Sequence, residues 1–168
     1  MKKSIFTLLM LAMFATSFIS CNKDDDKDGG GDSLEQNSWS VEGSVFKTNS
    51  LLPPEFSGNR FNAIGQKDEV NSVLIVTFSA KPTAAKNYTV VSATVEDAAL
   101  TADQCKLSVT NTGGPSARIY GSTGKTGDRV AVTIEGGKVV AKVNGAEMFY
   151  FESSVEKRTT LSAFIKEK

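Results

Sequence analysis

Apolar and polar residues alternate with a period of two along most of the chain from Trp39 onward. Trp39, Val41 and Val45 alternate with Ser40, Glu42 and Ser44; Cys105, Leu107 and Val109 alternate with Lys106, Ser108 and Thr110; Val130, Val132 and Ile134 alternate with Ala131, Thr133 and Glu135. This is the pattern of strands with one face on a core and one in water. Val73 to Phe78 is apolar on both parities and rich in β-branched residues, which predicts a central strand covered on both faces. Near the C-terminus, Gly136-Gly137 and Asn144-Gly145 each separate two alternating runs, and both pairs tolerate the positive φ angles of tight hairpins. Arg129 to Glu135, Lys138 to Val143 and Ala146 to Phe151 are therefore expected as a three-stranded meander, followed by a terminal strand over Thr159 to Lys166. Arg60 to Gly65, Tyr88 to Ser92 and Ala117 to Gly121 are further strands, and Ala98 to Gln104 has room for a single helical turn. Many short strands between Gly, Pro, Asn and Asp turns predict an all-β fold, an antiparallel β-sandwich. The alternative is a barrel-like closed sheet, which usually asks for longer strands.

Before this region the pattern changes twice. Met1-Lys2-Lys3 gives a positive start, Ile5 to Ile19 an apolar run too short to span a bilayer, and Ser20 a small residue just before Cys21. From Asn22 the chain carries Lys23, Asp24, Asp25, Asp26, Lys27 and Asp28, then Gly29-Gly30-Gly31. Such a segment repels itself and has nothing to bury, so a flexible tether with a reach of ~20 Å is expected. The organisation is a signal peptide over 1–20, a tether over 21–34 and one domain over 35–168.

Phe18-Ile19-Ser20-Cys21 resembles the lipobox of bacterial lipoproteins, with Phe18 where an aliphatic residue is usual. The resemblance implies cleavage before Cys21 and lipidation of Cys21. Several acyl chains anchor durably, because each buried methylene contributes about 0.8 kcal/mol. Lys23 followed by Asp24, Asp25 and Asp26 resembles the export signal of Bacteroidota surface lipoproteins. That likeness implies the outer membrane, with the domain facing the cell exterior. Trp39 to Phe46 is also similar to the first strands of small β-rich lipoproteins of that group, a likeness that carries no catalytic residue.

Charge and composition exclude more than they identify. Lys plus Arg and Asp plus Glu are equal at 19 each, and no basic stripe offers itself to phosphates, so nucleic acid is not an expected partner. With no histidine, neither a Ser-His-Asp nucleophile nor a histidine-bound zinc can be built. Chemistry by two carboxylates survives, as in glycoside hydrolysis, with Glu135, Glu147, Glu152 and Glu156 as candidates; their places in alternating runs and turns suit solvated positions better. Once Cys21 is lipidated only Cys105 remains, and its alternating context predicts a buried, unreactive thiol. Asp24, Asp26, Asp28, Gly29 and Glu35 spell a calcium loop, but the flanking helices that grip one have no counterpart. Gly121-Ser122-Thr123-Gly124-Lys125-Thr126 resembles a phosphate loop, yet Ile119 stands where glycine is needed and a strand follows; a connecting loop is expected. No motif asks for a cofactor or a metal.

The aromatic residues Trp39, Tyr88, Tyr120 and Tyr150, the last inside Phe149-Tyr150-Phe151, are the candidate binding rings, since Trp and Tyr combine apolar area with a polar tip. The expected function is a non-catalytic binding module, membrane-held through Cys21, for a glycan or an envelope protein. The alternatives are a carboxylate enzyme and a structural accessory of an outer-membrane complex.

Overall fold

A computed structural model describes residues 34–113 and 117–168. The signal, Cys21 and the export motif Lys23 to Asp26 lie outside the described residues, as does all of the calcium-loop pattern except Glu35.

Among the described residues eleven strands follow one another: β1 (Ser38–Val41), β2 (Ser44–Thr48), β3 (Glu55–Ser57), β4 (Arg60–Lys67), β5 (Val70–Phe78), β6 (Lys86–Val90), β7 (Gln104–Thr112), β8 (Arg118–Ser122), β9 (Arg129–Glu135), β10 (Lys138–Glu152) and β11 (Val155–Lys166). One 3-10 turn, Asp97–Ala99, overlaps only the start of the Ala98 to Gln104 segment expected to hold a helical turn, and Gln104 already opens β7. The pairing path is β11-β1-β2-β4-β5-β7-β6-β9-β10-β8, with β3 on β4 and with further pairings β11–β10 and β7–β8. All ladders are antiparallel except β6–β7. The fold is thus all-β and sandwich-like, one mixed sheet folded over a single core.

Inward positions follow the alternation. Leu74, Val76 and Phe78 of β5 face Leu107 and Val109 of β7, Val130 of β9, Met148 of β10 and Leu161 and Ile165 of β11 in one buried cluster. At roughly 25 cal/mol per Å² of apolar surface, this burial is the main term holding the sheet together. β5 lies between β4 and β7, the central position its two-sided apolar pattern predicts, but its outer face is not fully covered: Thr77 is buried, whereas Val73 and Ile75 are half-buried because no second layer among the described residues packs over them. Trp39 packs so closely on Gly65 that a Cβ there would come within 2.7 Å of the indole ring. Its Nε1 donates to Ser72 Oγ at 3.0 Å, so the buried indole loses no hydrogen bond.

Two local expectations are corrected. Gly136 and Gly137, at φ 59° and 78°, make the β9–β10 hairpin as expected. Asn144-Gly145, however, is not a turn: β10 continues past it to Glu152, and β11 pairs with β10 on both sides of a register shift between Val143 and Ala146. Gly145 at φ 63° is a β-bulge. The bulge resets the parity, so Val139, Ala141 and Val143 before it and Ala146, Met148 and Tyr150 after it all face the core. The hairpin comes later, at Ser153 and Ser154, with φ 51° and 65°. Likewise, the run from Trp39 to Val45 is two strands joined by a turn at Glu42 (φ 49°) and Gly43 (φ 70°), which leaves Val45 exposed and brings Phe46 inward.

The chain joins the domain at one end, here termed proximal. Asn37 N donates to Phe164 O, and Asn37 O accepts from Thr48 N at 2.9 Å. The β1–β2 turn, the β10–β11 hairpin and the start of β8 lie at the opposite, distal end, as the antiparallel registers require.

Candidate functional site

Trp39, Tyr120, Tyr88 and Tyr150 are 0%, 1%, 6% and 8% exposed, so none of the four offers a ring to the surface. Each sits at an inward strand position, and burial of large rings outweighs what their polar tips gain from water. The rings beside them that do reach solvent belong to the opposite parity: Phe151 is exposed and stands edge-on to Phe149, with centroids 6.0 Å apart. Phe149 covers Gly121, where an added Cβ would meet the ring at 3.0 Å.

The four candidate carboxylates are all paired with cations, and two of them, Glu147 and Glu156, share the guanidinium of Arg158. Glu135 binds Lys166 at 2.9 Å, Glu152 binds Arg118 at 2.5 Å, Glu156 binds Arg158, and Glu147 binds Arg158 at 3.1 Å while accepting from Thr123 Oγ1 at 3.1 Å. The bond from Thr123, ahead of Lys125 and Arg158, holds Glu147 below the usual carboxylate range against the opposing effect of burial. A glycosidic general acid needs the reverse shift. Glu35 pairs with Lys47. Ser122, in the segment that resembles a phosphate loop, is buried, accepts from Leu107 N at 3.1 Å and donates to Val91 O at 2.7 Å. It fastens the β7–β8 region, as a connecting segment would. Cys105 is fully buried, and burial pushes its thiol up to about 12.

Two polar constellations that the pattern of residues does not announce are assembled by the fold. At the distal end, Glu42 accepts from Arg118 at 2.6 Å and from Tyr120 Oη at 2.7 Å. Arg118 also bonds Glu152, and its guanidinium lies 5.1 Å from the centre of the Tyr150 ring. Burial pushes Glu42 up, but the Tyr150 and Tyr120 hydroxyls and Arg118 more than offset it, so the carboxyl stays below its ordinary value. Tyr120 is raised by burial and by Glu42. These groups satisfy one another and close the interior like a plug.

The second constellation lines a groove of about 200 Å³ on the outer face of β4, β5 and β7. Asp97 Oδ2 takes Arg60 at 2.7 Å and Asp97 Oδ1 takes Lys106 at 2.6 Å, while Lys106 also donates to Val95 O at 2.5 Å. Lys106, then Arg60, hold Asp97 below its ordinary range. Thr77, Ile75 and Ser108 form the floor and Ala93 a wall. Two cations against one carboxylate leave the groove net positive. Sites that enclose a whole small ligand run to about 300–1,000 Å³, so this one suits the end group of something larger.

Arg60 and Lys106 look, in sequence, like any solvated strand charges. Only the ladder that sets Arg60 against Thr77 and Thr77 against Lys106 brings them together. The chain matches no family model, no curated protein and no solved structure.

Proposed function

We propose that this chain is a lipid-anchored protein of the bacterial cell envelope, held in the outer membrane through Cys21, with its β domain acting as a non-catalytic binding module. The signal-like start, Cys21 and the Lys23-Asp24-Asp25-Asp26 run support the address and the exterior-facing orientation. The groove of Arg60, Asp97 and Lys106 carries the binding reading: a small, net-positive, preformed cleft with a part-apolar floor. It fits an acidic side chain of an envelope protein, with Arg60, whose side chain is 53% exposed, as the group free to turn toward it. A protein partner is favoured over a glycan because the four candidate rings are buried and cannot stack on a sugar. The hydroxyl-bearing residues Thr77 and Ser108 in the groove favour the terminal uronate of an acidic glycan as the second reading.

The test is a photo-crosslinking residue at Ile75 in intact cells. A discrete protein adduct that disappears with Arg60→Gln supports the reading; adducts indifferent to Arg60→Gln sink it. A rise in thermal midpoint with uronate-ended but not neutral oligosaccharides would instead select the glycan. For the address, Cys21→Ser should release the protein from membranes. Replacing Lys23, Asp24 and Asp25 with alanine should turn it from protease-accessible to protected in whole cells. Retention after a carbonate wash, or unchanged accessibility, would count against the respective assignment.

A further inference from the structure

We propose that the loop before β3 is a membrane-seating surface, in which Leu51 and Leu52 enter the boundary between headgroups and acyl chains of a bilayer beside the anchor. The proposal rests on the lipid on Cys21 and adds a second, orienting contact to it.

Leu51 is 85% exposed and Leu52 50%, an unusual display for adjacent leucines on a domain that buries nearly all its others. Their exposure is built in. Asn49 Oδ1 accepts the N–H groups of Leu51 at 3.0 Å and Leu52 at 2.9 Å, folding the chain into a turn that lifts both side chains off the sheet. Pro53 and Pro54 follow, and Pro54 is buried, its carbonyl accepting from Lys168 N at 3.1 Å. A loop fixed at both ends loses little conformational entropy when its apolar tip changes solvent. Ile64 stands beneath, and with Leu51, Leu52 and Pro53 it walls a cleft of about 110 Å³.

The position of this loop names its occupant. Thr48, whose N–H is bonded to Asn37 O, is three residues before Leu51, and Lys47 is paired with Glu35. The chain coming from Cys21 therefore joins the domain beside the exposed leucines. Leu34 follows Cys21 by 13 residues, a stretch of at most about 45 Å even when fully extended. A lipid in the bilayer thus keeps the loop close to the headgroups at a local concentration on the order of millimolar, where a contact too weak to recruit a free protein still orients a tethered one. Glu35, Lys47 and Glu55 around the loop have mixed signs, so apolar transfer and not charge drives the contact. Seating should therefore be indifferent to salt.

The experiment uses the lipidated full chain in phosphatidylcholine vesicles, carrying an environment-sensitive thiol dye at Leu51→Cys or, as the distal control, at Ile119→Cys, where Ile119 is 70% exposed. Cys105 is buried and does not compete for label. On reconstitution the dye at position 51 should shift to the blue and lose at least severalfold in quenching by aqueous iodide, at low and high salt alike, while the dye at 119 stays in water. Amide exchange at residues 51 and 52 of the unlabelled protein should slow in parallel, which separates seating from pull by the dye. Equal quenching at both positions in protein that floats with the vesicles, or unchanged exchange, overturns seating and leaves the anchor standing. Protein that does not float overturns the anchor and the proposal with it.

Discussion

The two ends of this domain are closed by opposite chemistry. At the proximal end Phe56 stacks on Phe61 with centroids 4.6 Å apart, Phe78 stands edge-on to Tyr88 at 4.8 Å, and Phe56 also meets Phe78 at 6.2 Å. Lys81 and Lys86 lie over the outer rings, of Phe56 and Tyr88. At the distal end the interior is closed by Glu42, Arg118, Tyr120, Tyr150 and Glu152. An apolar closure gains from every Å² removed from water and is indifferent to protonation. A polar closure gains only while every group has its partner, so one lost partner exposes the desolvation cost of the rest. Stability should therefore respond to size at one end and to charge at the other.

The largest effect is expected proximally. Phe61 is fully buried and Phe61→Ala removes a stacked ring that the sheet cannot collapse to replace, for a loss of about 3–5 kcal/mol. Denaturant unfolding at neutral pH checks it, and a loss below about 1 kcal/mol would mean that this end is loosely packed. At the distal end Glu42→Gln keeps the shape but removes the charge, leaving Arg118 with Glu152 alone. The expected loss is about 1.5–3 kcal/mol, the range for hydrogen bonds to a charged group. A double variant with Arg118→Gln should lose clearly less than the sum of the two singles, because the pair acts as one unit. Strict additivity would show that the plug is not a coupled network.

How far each end was legible in the sequence follows the same division. The proximal rings sit at inward positions of alternating runs, so Phe61, Phe78 and Tyr88 are placed in strands by their neighbours' pattern alone. The plug is not legible, since its members come from two strands and a turn far apart in the chain: Glu42 after β1, Arg118 and Tyr120 in β8, Tyr150 and Glu152 in β10. The turn at Glu42-Gly43 is hidden because the alternation running through it from Trp39 to Val45 suits one unbroken strand. Asn144-Gly145 misleads for a different reason, because the pair suits a tight turn and a bulge equally well; the choice is made by β11, which pairs on both sides of it. Tyr120 and Tyr150 qualify as candidate binding rings because a phenol combines apolar area with a polar tip, and the sequence does not show what would satisfy that tip inside. Glu42 supplies the partner that lets Tyr120 stay inside.

The comparison sharpens with pH. Glu42 lies below its ordinary value of 4.5 in the folded protein, so the stability it contributes is present above that pH and is lost as pH falls through the lower folded value. Asp97, Glu147 and Glu167 are shifted the same way. Glu42→Gln should therefore flatten the acid limb of a stability profile without abolishing it, whereas Phe61→Ala should lower the whole curve and leave its shape. Tyr120 is shifted upward, so its contribution is present below its ordinary value of 10.0 and is lost as pH rises beyond it. Tyr120→Phe should shrink the alkaline limb. An unchanged acid limb in Glu42→Gln would assign acid sensitivity to the surface carboxylates.

The smallest effect lies in the hairpin that carries the distal strands. Ser153 and Ser154 occupy the two central positions with φ 51° and 65°, a left-handed pair that L-residues with a Cβ adopt at a cost. Asn followed by Gly is the pair such a turn prefers, since Asn tolerates the conformation and Gly has no Cβ to clash. Ser153→Asn with Ser154→Gly should stabilise the domain by about 0.5–1 kcal/mol, part of the relieved strain being offset by the greater freedom glycine gives the unfolded chain. The gain should appear as a rise in thermal midpoint with the acid limb intact, because the turn touches β10 and β11 and none of the groups bonded to Glu42 except through Glu152. A destabilised double variant would show that the serines hold this hairpin through contacts of their own.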